Sequence, residues 1–442
     1  MMDEETYQKY KKLSRGSWGK EFSLLKMMFN GFLGLMREQE DMEFELPMET
    51  ILNILLNIGT SRKQGRKIMM YPFNYGPELF VTMGLQPLMQ EIFSVGLAPF
   101  HMNEPYLDFS NEIGYGDNPT LCNASRPLIG AYMKGAAPVP DYLFFLSTPC
   151  NSLAINYQVF ESLSKVPTYN MDVPYWAIEE DSEFYDGKVV EYMTNQCKDF
   201  VTWLEDQTKE KFQIEKFQET MARLNQSREY IRDFNETLKN VPCPAGSVTG
   251  FWNWFFMSTI GGTQEAVDVT KFVRDRAVEN VKEGVGGIED EKLRIAWPYT
   301  HVFFDRDLFP WLEEKYGAIA ILDILGNYQV EPHDTSTIDK CYESLARGTL
   351  DYSMIGSCRG PAEYYIEYVI NYVKDYKVDC VIYPMQYACK HAFAMARITS
   401  EAVREATGIP SLIFGCDPYD SREVPSEAIQ AKIAEFIEQV VL

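Results

Sequence analysis

Apolar residues recur at helical spacing from Phe22 to Met36 and again from Met48 to Ile58, so residues 1–66 read as a helical arm that ends in the basic stretch Ser61 to Lys67. Beyond it the pattern changes. Short apolar runs, turns and helix-length stretches alternate, the signature of βα units and a parallel sheet. After the run Ile68 to Pro72, Pro77 suits a helix first turn, and the pattern from Pro77 to Phe93 predicts a helix. The clearest unit is a strand Tyr142 to Leu146, the loop Ser147-Thr148-Pro149-Cys150, a helix from about Ser152 to Ser164 and a second strand at Val166 to Met171.

From Glu191 to Asn240, polar residues interleave with Phe212, Ile214, Phe217, Met221, Leu224 and Phe234 in a helical pattern without strand breaks. This predicts a helical insert, 191–285, between a first α/β domain, 67–190, and a second, 286–442. Gly284, Gly286 and Gly287 mark the linker. The second domain then runs through a strand Arg294 to Trp297, a helix Arg306 to Tyr316, a strand Ala318 to Asp323, a strand Asp379 to Tyr383, a helix Lys390 to Ala406 and a strand Ile409 to Phe414. The halves echo one another. Cys150 and Cys389 fall at matching points, just past a strand and near a helix start, where ligands collect in open α/β sheets and where helix N-termini favour thiolates. Cys122 lies in a loop of turn-forming residues before the first of these strands. Cys358, in Gly356-Ser357-Cys358-Arg359-Gly360-Pro361, is its counterpart by the same echo.

The chain has 442 residues, 46% hydrophobic and 24% charged, a globular balance. Its 41 Lys and Arg against 64 Asp and Glu give a net charge of -23, which argues against nucleic acid or an anionic membrane as a partner. The apolar stretches Val139 to Leu146 and Phe251 to Ile260 fall short of the roughly 20 residues that span a bilayer. Met1 to Lys12 are charged and polar, unlike a secretory leader. With nine cysteines, an odd number, a cytoplasmic protein with free thiols is expected rather than a disulfide framework. Cys197, Cys243, Cys341, Cys380 and Cys416 read as buried structural residues. Cys122, Cys150 and Cys389 admit two readings, a shared metal or cluster site or three buried thiols. No C-x-x-C pair, G-x-S-x-G elbow or glycine fingerprint for a dinucleotide or ATP occurs. His101, His301, His333 and His391 form no ligand pair at helical spacing. His391, two residues past Cys389, could tune a bound metal through that ligand or serve as a surface or capping residue.

Several strings resemble the 2-hydroxyacyl-CoA dehydratase family, which also holds benzoyl-CoA reductase-type subunits and double-cubane cluster proteins. They are Tyr75-Gly76-Pro77-Glu78-Leu79 followed by Gly84 and Pro87, Ser147-Thr148-Pro149-Cys150-Asn151, Val166-Pro167 through Asp172-Val173-Pro174, and Asp379-Cys380-Val381-Ile382-Tyr383-Pro384 through Cys389, then Gly408-Ile409-Pro410. The resemblance runs from about Lys67 to Leu442. It implies an α/β fold of two flavodoxin-like (Rossmann-like) parallel-sheet domains with a helical N-terminal arm and insert, and one 4Fe-4S cluster on Cys122, Cys150 and Cys389. Three thiolates leave one iron free to act as a Lewis acid. Glu78 matches a glutamate near the family's substrate site and is the implied catalytic residue; otherwise it is a first-turn glutamate stabilised by its helix dipole. Ser125, Ser147 and Thr148 could donate hydrogen bonds to cluster sulfur or act as loop and cap residues. Cys358 is a loop thiol off the cluster.

The implied activity is that of a lyase. Water leaves a 2-hydroxyacyl-CoA by a ketyl-radical route after an ATP-dependent iron-sulfur activator injects one electron, and a second homologous subunit completes a homo- or heterodimer. The alternatives are a benzoyl-CoA reductase or double-cubane type reductase subunit, and an electron-transfer or scaffold subunit whose active site lies in its partner.

Overall fold

A computed structural model describes residues 44–442 apart from 117–119, 177–182, 248, 324 and 326–330, together with 23, 26–28, 30–31 and 33–34. Most of the periodic stretch Phe22 to Met36 lies outside the described residues. The second stretch of the arm forms α1, Glu45–Thr60, which buries Ile51, Leu52, Ile54, Leu55 and Ile58.

Two parallel sheets follow. The first comprises β1 (Ile68–Tyr71), β2 (Gln86–Met89), β3 (Tyr142–Leu146) and β4 (Thr168–Met171) in the order β2-β1-β3-β4. The second comprises β5 (Leu293–Trp297), β6 (Ala318–Asp323), β7 (Cys380–Gln386) and β8 (Ser411–Cys416) in the order β6-β5-β7-β8. Both orders are those of a flavodoxin-like doubly wound sheet. Every residue of β1, β3 and β5 is buried, as expected of central strands covered on both faces.

The stretch Pro77 to Phe93 is not one helix. The helix α2, Glu78–Thr82, stops at Met83 and Gly84, the glycine taking φ +71°; the strand β2 and a 3-10 turn, Gln90–Phe93, follow. The apolar spacing alone fits a helix, but glycine in the left-handed region is a common helix stop. Pro87 is tolerated because β2 lies at the sheet edge, where a missing N–H leaves no ladder bond unmade.

The helices of the first half are α3 (Glu104–Glu112), α4 (Arg126–Met133) and α5 (Asn151–Ser164). Between the sheets come α6 (Gly187–Thr208), α7 (Ile214–Thr237), α8 (Thr249–Ile260) and α9 (Gln264–Glu283). Asp186 caps α6 by accepting from the N–H groups of Lys188 and Val189, and Thr263 caps α9 through that of Ala266. Gly284, at φ +70°, ends α9 within the glycine-bearing segment. The second half adds α10 (Leu308–Tyr316), α11 (Ile338–Leu350), α12 (Ile355–Cys358), α13 (Ala362–Asp375), α14 (Lys390–Thr407) and α15 (Ser426–Phe436).

One apolar core runs from β1 and β3 through Phe200 of α6 and Leu224 of α7 to Val381 and Tyr383 of β7. The helices between the sheets therefore fasten the halves in one orientation, which matters for any site that draws on both.

Candidate metal-cluster site

In a doubly wound sheet the chain reverses its direction of travel at one point, and the loops leaving the strands there part to form a crevice. The first sheet has this switch between β1 and β3, the second between β5 and β7. Loops from all four strands line one pocket. Phe73 follows β1, Pro149 and Cys150 follow β3, Tyr299 and Thr300 follow β5, and Gln386, Ala388 and Cys389 come from the end of β7 and its loop. Cys122, Ala124 and Ser125 join from the loop before α4, Trp254 from α8 and Tyr419 from beyond β8. The pocket encloses about 750 Å³ of atom-free space, mouth included.

The loops are tied down locally. Thr148 donates to the Val173 carbonyl at 3.0 Å and Ser147 to Asp172 at 2.8 Å, so both side chains anchor the loop to the end of β4. Ser125 lines the pocket at the N-cap of α4. The Cys122 N–H donates to Ser152 Oγ at 3.2 Å, and the next residue, Asn123, donates to Asp417 Oδ2 of the second half at 2.9 Å. Asn103 donates to the Tyr419 carbonyl at 2.7 Å beside it.

Cys150 and Cys389 are the N-cap residues of α5 and α14. The N–H groups of Leu153 and Ser152 act on the first thiol, and those of Ala392 and His391 on the second. Tyr299 donates its hydroxyl to Cys389 Sγ at 2.7 Å. Cys122 Sγ accepts from Gln386 Nε2 at 2.9 Å and from the Ala124 N–H at 3.4 Å. All three sulfurs are thus surrounded by donors. Burial nonetheless raises all three thiols, Cys150 to about 12, and the nearby Cys389 charge adds to the rise at Cys122 and Cys150. Three such thiols stay neutral together unless a positive centre takes up their charge.

Among the described residues, no three His, Cys, Asp or Glu lie close enough to share one metal ion. A polynuclear iron-sulfur centre asks for something different, since each thiolate holds a separate iron. Three convergent free thiols among sulfur-directed donors fit that requirement. Cys358 lines an adjoining cavity with Tyr365 and Tyr383, which shares Tyr299 and His391 with the thiol pocket. The charges of Cys389 and Cys150 still reach its thiol, which burial raises. Cys197, Cys243, Cys341, Cys380 and Cys416 are buried.

Glu91 is a pocket residue that the sequence reading does not single out. It lies two residues past the end of β2, as Cys150 and Cys389 lie just past β3 and β7, and reading β2 as helix hides that signal. Its carboxyl accepts from the Phe73 N–H at 3.0 Å and from Gln90 Nε2 at 2.7 Å, and burial lifts it to about 8 against those donors. Tyr299 and Gln386 also lie at strand ends, and their positions relative to sulfur depend on tertiary packing.

Glu78 does not line the thiol pocket. It is buried against Gly76 and Gly261, and burial raises its carboxyl to about 7 with Arg228 opposing the rise. From an ordinary value of 4.5 up to about 7, the folded chain keeps a proton that the unfolded chain has released. The stability contributed by neutral Glu78 is therefore full below about pH 4.5 and is lost as pH rises through 7. Glu78→Gln should remove roughly 3 kcal/mol of pH-dependent stability over that interval, read from denaturant unfolding at a series of pH values. An unchanged pH slope would mean that Glu78 does not carry this proton.

A family model described as 2-hydroxyglutaryl-CoA dehydratase, D-component, matches residues 72–440. The chain is 24% identical over 251 residues to the (R)-phenyllactyl-CoA dehydratase alpha subunit of Clostridium sporogenes, covering 54% of this chain and 60% of that relative. It is 22% identical over 395 residues to the lactoyl-CoA dehydratase subunit alpha of Anaerotignum propionicum, covering 82% and 88%. With the (R)-2-hydroxyisocaproyl-CoA dehydratase alpha subunit of Clostridioides difficile it shares 20% identity over 404 residues, covering 86% and 92%. The family match spans every strand from β2 to β8, the helices between the sheets and all three pocket cysteines, and on that basis the chain belongs to the 2-hydroxyglutaryl-CoA dehydratase D-component family.

Proposed function

We propose that this chain is the 4Fe-4S subunit of a 2-hydroxyacyl-CoA dehydratase and that the chemistry takes place in the thiol pocket. The observation that carries the reading is the meeting of Cys122, Cys150 and Cys389, from two separate sheets, in one pocket. When bound on these thiols, a 4Fe-4S cluster supplies one electron and an iron with no protein ligand. The reaction removes the C2 hydroxyl and a C3 proton from the thioester and yields an enoyl-CoA and water. No electron is consumed overall, so the one that generates the ketyl radical of the substrate is returned.

The chain's own groups have separable tasks. Gln386 and Tyr299 hold the sulfurs of Cys122 and Cys389 in place by donating to them, an interaction that also shifts a cluster's potential. Glu91 receives the C3 proton, its carboxylate oriented by the Phe73 N–H and Gln90. Phe73, Trp254, Phe303 and Tyr419 exclude water from the radical. The electron comes from an ATP-dependent iron-sulfur activator, and a second homologous subunit pairs with the chain; the relatives' designation as alpha subunits supports that pairing. The proposed location is the cytoplasm. Among the described residues no helix is long and apolar enough to cross a membrane.

Anaerobic assay of the protein with its co-purifying subunit and activator, ATP, a reductant and a panel of 2-hydroxyacyl-CoA and aryl-CoA thioesters tests this. The expected result is loss of one water per substrate without stoichiometric use of reductant. A reduced product formed at the expense of reductant would identify a reductase of the benzoyl-CoA type instead.

A further inference from the structure

We infer that the acyl group this protein accepts is bulky and apolar, and that it lies in a second pocket adjoining the thiol pocket. The inference rests on the acyl-CoA reading above and adds the class of acyl chain. The second pocket encloses about 1310 Å³ of atom-free space, mouth included. Its walls come from Ile51, Ile54 and Leu55 of α1, Phe251 and Phe255 of α8 and Phe309 of α10. Val95 and Phe303 line both pockets, so the apolar space borders the site of chemistry.

Protein interiors are close-packed, and an apolar pocket beside a reaction site is space that an apolar group can occupy. Of the charged residues on its lining, the buried one, Asp305, does not suit an acidic acyl chain. Asp305 is buried, burial raises its carboxyl, and its Oδ2 has no hydrogen-bond partner. Arg306 is exposed and lies 3.7 Å from Asp307. A terminal carboxylate on the acyl group would therefore lose its water against phenylalanine and isoleucine and face another acid. A branched aliphatic or phenyl group loses only its contact with water, and each methylene buried adds about fourfold to affinity.

The test is anaerobic calorimetry of the holoprotein with saturated thioesters, which lack the hydroxyl and cannot react: propanoyl-CoA, 4-methylpentanoyl-CoA, 3-phenylpropanoyl-CoA and glutaryl-CoA. The two apolar bulky thioesters should bind at least about 30-fold tighter than the other two. Ile54→Trp, which narrows the pocket, should bring them to within about threefold of propanoyl-CoA. Phe255→Ala, which enlarges it, should move the preference toward a longer chain such as decanoyl-CoA. Equal affinities across the panel that neither variant alters, or an Ile54→Trp effect confined to oligomeric state, would overturn the inference and leave the acyl-CoA reading standing. Binding of none of the thioesters would overturn both.

Discussion

Serine at Cys122, Cys150 or Cys389 should each abolish turnover and release iron, whereas serine at Cys358 should leave both in place. A serine hydroxyl does not ionise near neutral pH and is a harder donor than the thiolate that iron-sulfur centres require. Because each thiolate holds a different iron, no remaining residue of the pocket substitutes for the lost one. The loss of activity should exceed the roughly 100-fold that follows removal of a group that merely orients a metal ligand. Folding should survive, since the three thiols are only partly exposed loop residues whose backbones are held by Ser152, by Gln386 and by helix starts. Iron content, acid-labile sulfide and turnover measured on the same anaerobic preparations decide the matter. If Cys358→Ser loses iron as the other three do, the cluster has four protein ligands, and the chain is then an electron-transfer subunit rather than the site of dehydration.

Glu91→Gln should lower kcat by roughly 10²- to 10⁴-fold while iron content stays at the wild-type level. Glutamine keeps the size and one acceptor, so the pocket retains its shape, but it cannot take up a proton. The pH dependence carries a second readout. A carboxyl lifted to about 8 by burial is largely protonated at neutral pH, so kcat/KM should rise with pH toward a plateau above about 8. That limb should vanish in Glu91→Gln. Retained activity with an unchanged limb would assign proton removal to another group.

Glu91 also shows where the sequence is silent. The units from β3 through Cys150 to α5 and from β7 through Cys389 to α14 are legible because apolar runs bounded by turn residues give way to helical periodicity, and their predicted edges fall close to the observed ones. The equivalent unit at β2 is masked, because Leu79, Phe80, Leu85, Leu88 and Met89 recur at a spacing that also suits a helix. Gly84 and Pro87 break that helix, and only then does Glu91 stand past a strand end.

The grouping of the thiols is legible to a lesser degree. The echo between the halves pairs Cys150 with Cys389, but it pairs Cys122 with Cys358 just as well. What separates those two is tertiary packing, since Cys122 meets Gln386 across the interface while Cys358 faces Tyr365 and Tyr383. Glu78, by contrast, is marked by the resemblance as a substrate-side residue, and the structure places it among Gly76, Gly261 and the field of Arg228.

The most direct measurement is the iron and acid-labile sulfide content of the anaerobically purified chain, with EPR of its reduced form. Three thiolates in one pocket predict about four irons and four sulfides per chain and a paramagnetic cubane on one-electron reduction. A folded, iron-free chain that still dehydrates a 2-hydroxyacyl-CoA would contradict the claim that Cys122, Cys150 and Cys389 exist to hold a cluster.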